Sequence, residues 1–355
     1  MLTKKYNQSL KDKNTFMMDV ECKCLIEYDS IMDLTDIDFE DLPLPIKHIG
    51  GGSNILFTDD FKGTLLHSTA NDIYVLPKTD DLYSQSPKGT VIVSASAGVK
   101  TDDLCKWAAE NELWGIENLS NIPGEVGGAV VQNIGAYGVE LSNIVIQVYC
   151  YDIIEEEFTH FDKEECGFAY RSSVFKQEGF RDRYIITNVI FALSENSEPN
   201  LEYGKLEEII RKQLTDKTKP SPSMVREAVI QIRKEKLPEV GRVGSAGSFF
   251  RNPIVSEESF YGIVKAALEM GVKETDIPFF KVEGGVKVPA AWLIEQCGWK
   301  GKRSGNAGVY EKQALVLTNA TGRAMPEEII RLKDKITDSV RKTFGVSLEA
   351  EVEII

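Results

Sequence analysis

Residues 48–57 read HIGGGSNILF: three glycines in a row, a Ser-Asn pair, then an apolar run. Glycine adopts positive φ at no steric cost and lets main-chain N–H groups close on a ligand. Successive N–H groups in such a turn form a concavity that holds an anion. Gly50, Gly51, Gly52, Ser53 and Asn54 are therefore candidates to cradle a phosphate or diphosphate, the alternative being a tight turn between strands. The stretch lacks the Lys-Ser/Thr of a P-loop and the spacing of G-x-G-x-x-G, and a strand rather than a helix is expected after it. A second bare stretch, NLSNIPGEVGGAVVQNIGAYGVEL (118–141), carries Gly124, Gly127, Gly128, Gly135 and Gly138. Two such segments suit a long ligand with a diphosphate and a flat ring, so a dinucleotide explains them better than a pair of strained turns does.

Other chemistry is excluded or localised by composition. The net charge of −14 argues against nucleic acid as the main partner. Residues 226–251 nevertheless hold Arg226, Arg233, Lys234, Lys236, Arg242 and Arg251 against Glu227, Glu235 and Glu239, a local excess that suits a small polyanion. A solvated helix face accounts for Arg226 and Arg233, and less well for Lys236 and Arg242, which flank LPEVG. The only histidines are His48, His67 and His160, and nothing around them resembles a zinc site or a Ser-His-Asp triad, so no metal is expected. Cys22, Cys24, Cys105, Cys150, Cys166 and Cys297 form no CxxC pair and read as reduced thiols.

These residues need elements to position them. A chain of 355 residues has room for about two or three domains. The runs 91–99, 144–154 and 183–193 are rich in β-branched and aromatic residues and predict strands. TDDLCKWAAENEL predicts a helix with Thr101 as N-cap, and YGKLEEIIRKQL another after the loop 195–200. Ser221 then Pro222 open a helix whose stripe is Val225, Val229 and Ile232. Helices are expected at 256–271 and 289–298, each with glycine near its end, and at 326–345 with Ile329, Leu332, Ile336, Val340 and Phe344 on one stripe. The ending VSLEAEVEII alternates and predicts an edge strand, with Val346, Leu348, Ala350, Val352 and Ile354 on one face and its glutamates solvated. No run approaches the ~18 apolar residues of a membrane span. The N-terminal residues lack a signal-peptide core, so cytoplasmic residence is expected.

HIGGGSNILF, IPGEVGGAVVQNIGAYG, YRSSVFK (170–176), GSAGSFFRNP (244–253), AAWLIEQCGWKG and the terminal LEAEV occur in this order along nearly the whole chain. The sequence closely resembles the UDP-N-acetylenolpyruvoylglucosamine reductases, flavoenzymes of bacterial peptidoglycan synthesis. The glycine-rich motifs alone indicate only the wider FAD fold of vanillyl-alcohol-oxidase relatives, whereas GSAGSFFRNP with YRSSVFK is specific to the reductases. The resemblance implies an α+β protein with a vanillyl-alcohol-oxidase-type FAD-binding fold and a C-terminal α+β substrate-binding domain. It implies hydride transfer from NADPH to FAD, then from flavin N5 to C3 of UDP-N-acetylglucosamine enolpyruvate, with a proton added at C2.

Carried onto this chain, the resemblance makes Arg171 and Glu351 the groups that polarise the carboxylate and stabilise the enolate, and Ser248 the proton donor. On their residue types alone, Arg171 is a surface charge beside an aromatic, Ser248 a turn serine and Glu351 part of a solvated acidic face. The implied FAD contacts add Ser120, Pro123, Ala129, Asn133, Ala136 and Tyr137 to the glycines already named. Implied substrate contacts are Tyr170, Tyr203 on a substrate-covering loop, Lys236 near the diphosphate, Asn252 and Gln296. Two positions depart from the family pattern: Glu353 stands where a basic residue is common, and Ala350 where proline is.

The expected organisation is a first FAD lobe (1–70 with 346–355), a second (71–220), a substrate domain (221–325) and a helix (326–345) returning to the FAD domain. A monomer taking small molecules is expected, with NADPH and substrate using one cleft in turn and no nucleic-acid or membrane partner. The rival readings are a flavin oxidase of the same fold, reduced by its own alcohol or sugar, and a non-catalytic UDP-sugar binder. The latter is disfavoured because Arg171, Ser248 and Glu351 are all present.

Overall fold

A computed structural model describes residues 1–214 and 219–355, so residues 215–218, inside the expected second FAD lobe, lie outside the described chain. The described residues form two compact units, 1–8 with 21–51 and 61–234, and 9–20 with 52–60 and 235–355.

The first unit is built on two sheets. One runs in the order Thr3–Ser9, Glu21–Tyr28, Phe61–Ser68, Ile46–Ile49, with the last three strands parallel. The other is antiparallel, in the order Glu157–Asp162, Val145–Asp152, Tyr184–Ser194, Thr90–Ser96, Ile73–Val75. Its three longest strands lie where β-branched residues predict them. Alternation sends Val148, Val189 and Val93 to one face, where they pack in one core with Leu104 of helix α1 (Thr101–Glu110) and Val130 of α2 (Val126–Gln132). Tyr151 and Ile185 point the other way and join Ile26, Tyr28 and Leu66 of the first sheet. Helices α3 (Leu206–Gln213) and α4 (Pro222–Lys236) share a smaller core of Leu206, Ile210, Val225, Val229 and Ile232 around Trp114. Ser221 Oγ accepts from Met224 N (3.3 Å), the cap expected before Pro222.

Two expectations here are corrected. Thr101 is the first residue of α1 and Lys100 occupies the cap, with no side-chain bond; Thr101 N donates instead to Gly124 O (3.0 Å), so a tertiary carbonyl does the work of a capping side chain. Tyr203 is not helical, since α3 starts at Leu206 and Tyr203 lies in the turn before it.

The second unit carries α5 (Glu257–Glu269), α6 (Ala290–Gln296) and α7 (Pro326–Phe344). Ile329, Leu332, Ile336, Val340 and Phe344 are all buried, and Gly345 ends α7 at φ 71°. Two antiparallel sheets accompany the helices: Arg303–Ser304, Ala307–Val309 and Leu317–Asn319, and Ile254–Val255, Gly285–Lys287 and Phe280–Val282. The terminal segment is not one strand. Ala350 bridges Phe250, whereas Glu353–Ile354 pair in parallel with Ile55–Leu56. The chain changes partner between them, so the apolar row breaks: Val346, Leu348 and Val352 are buried, but Ile354 is 41% exposed.

Candidate active site

The two glycine-rich stretches meet in the first unit. A Cβ on Gly50 would lie 3.2 Å from Glu125 Oε2, and one on Gly51 3.7 Å from Gly124 Cα. Glu125 Oε1 is 3.1 Å from His67 Nε2, and His67 Nδ1 is 3.4 Å from Glu27 Oε1. A carboxylate–imidazole–carboxylate row thus backs the loop. Beside it, Tyr28 Oη lies 2.9 Å from His48 Nε2; burial, with His67 adding, pulls the His48 pKa down to about 3 and keeps that ring neutral. Gly127 N donates to Ala97 O (2.9 Å), and a Cβ there would lie 3.0 Å from Ala97 Cβ, so this glycine lets α2 sit tightly on its neighbour. Gly128 differs, for nothing lies within 4 Å of its Cβ position.

After α2 the chain turns back. Asn133 ends the helix in the left-handed region (φ 43°). Its Nδ2 donates to Glu140 Oε2 (3.1 Å) and Ala169 O (3.0 Å), and its Oδ1 accepts from Ser142 N (3.0 Å). Its amide therefore staples main chain. Ser120 Oγ likewise donates to Glu117 O (2.6 Å). Gly135–Ala136 pair with Val139–Glu140 around Tyr137 and Gly138, both at positive φ (49° and 80°), the signature of a type I′ hairpin turn.

Arg171 sits in a second tight turn. Ala169 and Ser172 exchange both main-chain bonds at 3.0 Å, and Arg171 between them has φ 55°. Left-handed backbone costs a non-glycine residue roughly 1 kcal/mol. The guanidinium returns to the hairpin, donating from Nη2 to Gly135 O (2.7 Å), and stands 5.3 Å from the Tyr170 ring centroid. A glycine at 135 eases this approach, because a Cβ would lie 3.0 Å from Arg171 Nη1 and 3.1 Å from Val139 O. Tyr203 packs edge-on against Tyr137, ring centroids 6.0 Å apart.

The basic stretch behaves opposite to expectation. Arg226 is not solvated; both its terminal nitrogens bond the Asp102 carboxylate, and although burial opposes ionisation, Arg226 and Asn121 N hold the Asp102 pKa below its ordinary value. Arg233 Nε donates to Asn121 O (3.1 Å); burial lowers its pKa, partly offset by the Tyr137 phenol. Lys234, Lys236 and Arg242 are the exposed ones, and Arg242 pairs with Glu239 (2.9 Å).

In the second unit Ser248 and Glu351 lie on adjoining segments. Ser248 bridges Val316, Phe249 N donates to Leu315 O (2.7 Å), and Glu351 N donates to Phe249 O (2.8 Å). Arg251 N to Glu349 O (3.0 Å) extends the ladder. Asn54 belongs to this unit, and its Nδ2 donates to Glu351 O (3.2 Å) while its O accepts from Glu353 N (2.9 Å). Gly52 is hemmed in by the Lys13 main chain, so packing by itself calls for a glycine there. Asn252 Oδ1 accepts from Ala290 N (2.9 Å) and so caps α6, on which half-buried Gln296 also lies.

Comparison with known families identifies the chain. The model described as "FAD binding domain" matches residues 39–154, and that of the C-terminal domain of UDP-N-acetylenolpyruvoylglucosamine reductase matches 238–355. The reductase of Bacteroides fragilis is 41% identical over 349 residues, covering 98% of each chain. The chain belongs to the UDP-N-acetylenolpyruvoylglucosamine reductase family. Other members include those of Flavobacterium johnsoniae, 39% identical over 351 residues with 98% of each chain covered, and Bdellovibrio bacteriovorus, 38% over 348 with 97% covered. The fold is that of the solved Thermus caldophilus reductase, with TM-score 0.62, 23% identity, and coverage of 100% of this chain and 98% of the other.

The family's FAD fits the residues present. Two bare loops touch at Gly50, Gly51 and Gly124, and Gly128 leaves open main chain beside them. Sequence reasoning names Arg233 in the basic stretch but does not place it against Asn121 O and beside Tyr137. It also gives no role to Lys176, although that residue closes the YRSSVFK motif; its ammonium bonds Arg171 O (3.0 Å).

Proposed function

We propose that this chain is an NADPH-dependent flavoenzyme that reduces the enolpyruvyl group of UDP-N-acetylglucosamine enolpyruvate to the lactyl ether of UDP-N-acetylmuramate, a peptidoglycan precursor. Bound FAD would supply the hydride chemistry between NADPH and C3 of the enolpyruvyl group. The protein's own residues manage the charge and the proton. Electron density left at C2 spreads into the carboxylate, where Arg171 and Glu351 polarise and stabilise it. Ser248 gives the proton that C2 requires. Lys236, Tyr203, Tyr170, Asn252 and Gln296 bind the nucleotide-sugar, with Lys236 on its diphosphate. Gly50, Gly51, Gly124 and Gly128 hold the flavin diphosphate.

The observation that carries this reading is Arg171: a long cation in a backbone conformation that arginine rarely takes, its guanidinium laid on the carbonyl of Gly135. A non-glycine residue held in the left-handed region carries a backbone cost, and such residues cluster where function uses the geometry. No helix among the described residues is long and apolar enough to cross a membrane. We infer a cytoplasmic monomer whose partners are small molecules.

The test is optical. The purified protein should carry flavin absorbance, bleach anaerobically with NADPH, and recover on addition of the enolpyruvyl substrate. Colour that NADPH leaves unchanged but an alcohol or sugar bleaches would make the chain an oxidase; a protein unable to hold flavin would end the reading.

A further inference from the structure

Arg171 is held at both ends by one short piece of chain. Its guanidinium donates to Gly135 O (2.7 Å). Its main-chain carbonyl accepts from Lys176 Nζ (3.0 Å), and the same ammonium bonds Gln132 Oε1. Gln132 is the last residue of α2 and precedes Asn133, whose amide holds Ala169 O at the other side of the turn (3.0 Å). The left-handed turn is thus tied to residues 132–135 by Lys176 and Asn133, and the tip of the arginine returns to the same residues. An ammonium suits the knot because it has three donors and no acceptor, and can serve two carbonyl-type oxygens together.

We propose that Lys176 is a positioning residue for Arg171: it fixes the main chain from which the guanidinium is aimed, without itself touching the reacting atoms. The inference rests on the reading of Arg171 as the enolate-stabilising cation. It predicts that loss of the ammonium harms the step needing Arg171 and spares flavin reduction.

Stopped-flow absorbance of the flavin-loaded enzyme separates the two. In Lys176→Met, bleaching by NADPH should proceed near the wild-type rate. Recovery with UDP-N-acetylglucosamine enolpyruvate should slow by about 10²-fold, the scale of an ångström-sized misplacement, with substrate affinity little changed. Lys176→Arg, which keeps charge and several donors, should regain most of the loss. Recovery at the wild-type rate in Lys176→Met overturns the proposal. So does an equal loss in both phases accompanied by a fall in thermal stability, because a merely structural lysine would give that. If Lys176→Met does not retain flavin, Gln132→Met decides, since it cuts only one of the two bonds: about tenfold slower recovery alone supports the proposal, and unchanged recovery overturns it. Arg171→Met run alongside keeps the two readings apart. Unimpaired recovery there removes the role of Arg171, whereas slow recovery there beside normal recovery in Lys176→Met removes only the role of Lys176.

Discussion

Arg171 and Ser248 are anchored by different means. Arg171 depends on side chains: Lys176 on its carbonyl, Asn133 on the adjoining turn, and its own fork on Gly135 O. Ser248 lies in a main-chain ladder, with its neighbours bonded to Leu315 on one side and Glu351 and Glu349 on the other. The contrast follows from reach. Serine has one χ angle, so a fixed backbone nearly fixes its hydroxyl. Arginine carries about 2 kcal/mol of rotamer entropy, and its tip is aimed only if both backbone and guanidinium are held.

The comparison can be broken in four places. The largest effect belongs to Ser248→Ala: the ladder is main chain, so folding and flavin reduction should persist, while flavin recovery with substrate slows by ~10²–10⁴-fold, the range of general acid catalysis. Stopped-flow recovery at the wild-type rate would remove Ser248 as the acid. Next is Arg171→Lys, which keeps the charge and loses the fork; a charged hydrogen bond worth ~1.5–3 kcal/mol predicts recovery slowed by about 10–100-fold, with thermal stability held. Third comes a pair of glycines. Gly135→Ala should crowd Arg171 Nη1 and slow recovery by about tenfold. Gly247→Ala, beside Ser248, meets open space at φ 66° and should lower stability by about 1 kcal/mol while leaving the rate alone. Thermal melts and kinetics on both variants decide, and a reversed pattern would end the contrast. The smallest effect is expected for Asn54→Ala, which removes one bond to Glu351 O from a segment the ladder still holds; about 1 kcal/mol of stability and a few-fold in rate should go.

Helix α7 was legible because its five apolar residues repeat with the helical period and Gly345 marks its end. Ser221 and Pro222 announced α4 by the same local logic. The terminal segment misled because alternation gives the faces of a strand but not its partners; Ala350 and Glu353 answer to different neighbours. Arg226 and Arg233 misled for a related reason: charge on a helix is visible in sequence, but Asp102, lying 124 positions away, is not. In the candidate site, motifs bring out Arg171, Ser248 and Glu351 as residues. They do not reveal that Arg171 takes positive φ, since arginine carries no turn signal, nor that Asn133 and Asn54 spend their amides holding main chain.

The second unit draws its first pieces from early in the chain. Phe16 packs edge-on against Phe249, and Phe16 O accepts from Asn319 Nδ2 (3.2 Å). Ile55 and Leu56 await Glu353 and Ile354. During synthesis at ~5–20 residues per second, the segment containing Ile55 emerges on the order of 15–60 s before the strand that pairs with it. Through that interval an apolar, β-prone sequence directly after three glycines has an open edge and no partner. The nascent chain should therefore be most prone to misassociate, and to engage a holding chaperone, around residues 53–58, and release of that hold should follow translation of Glu353 and Ile354 rather than of the first domain-sized length.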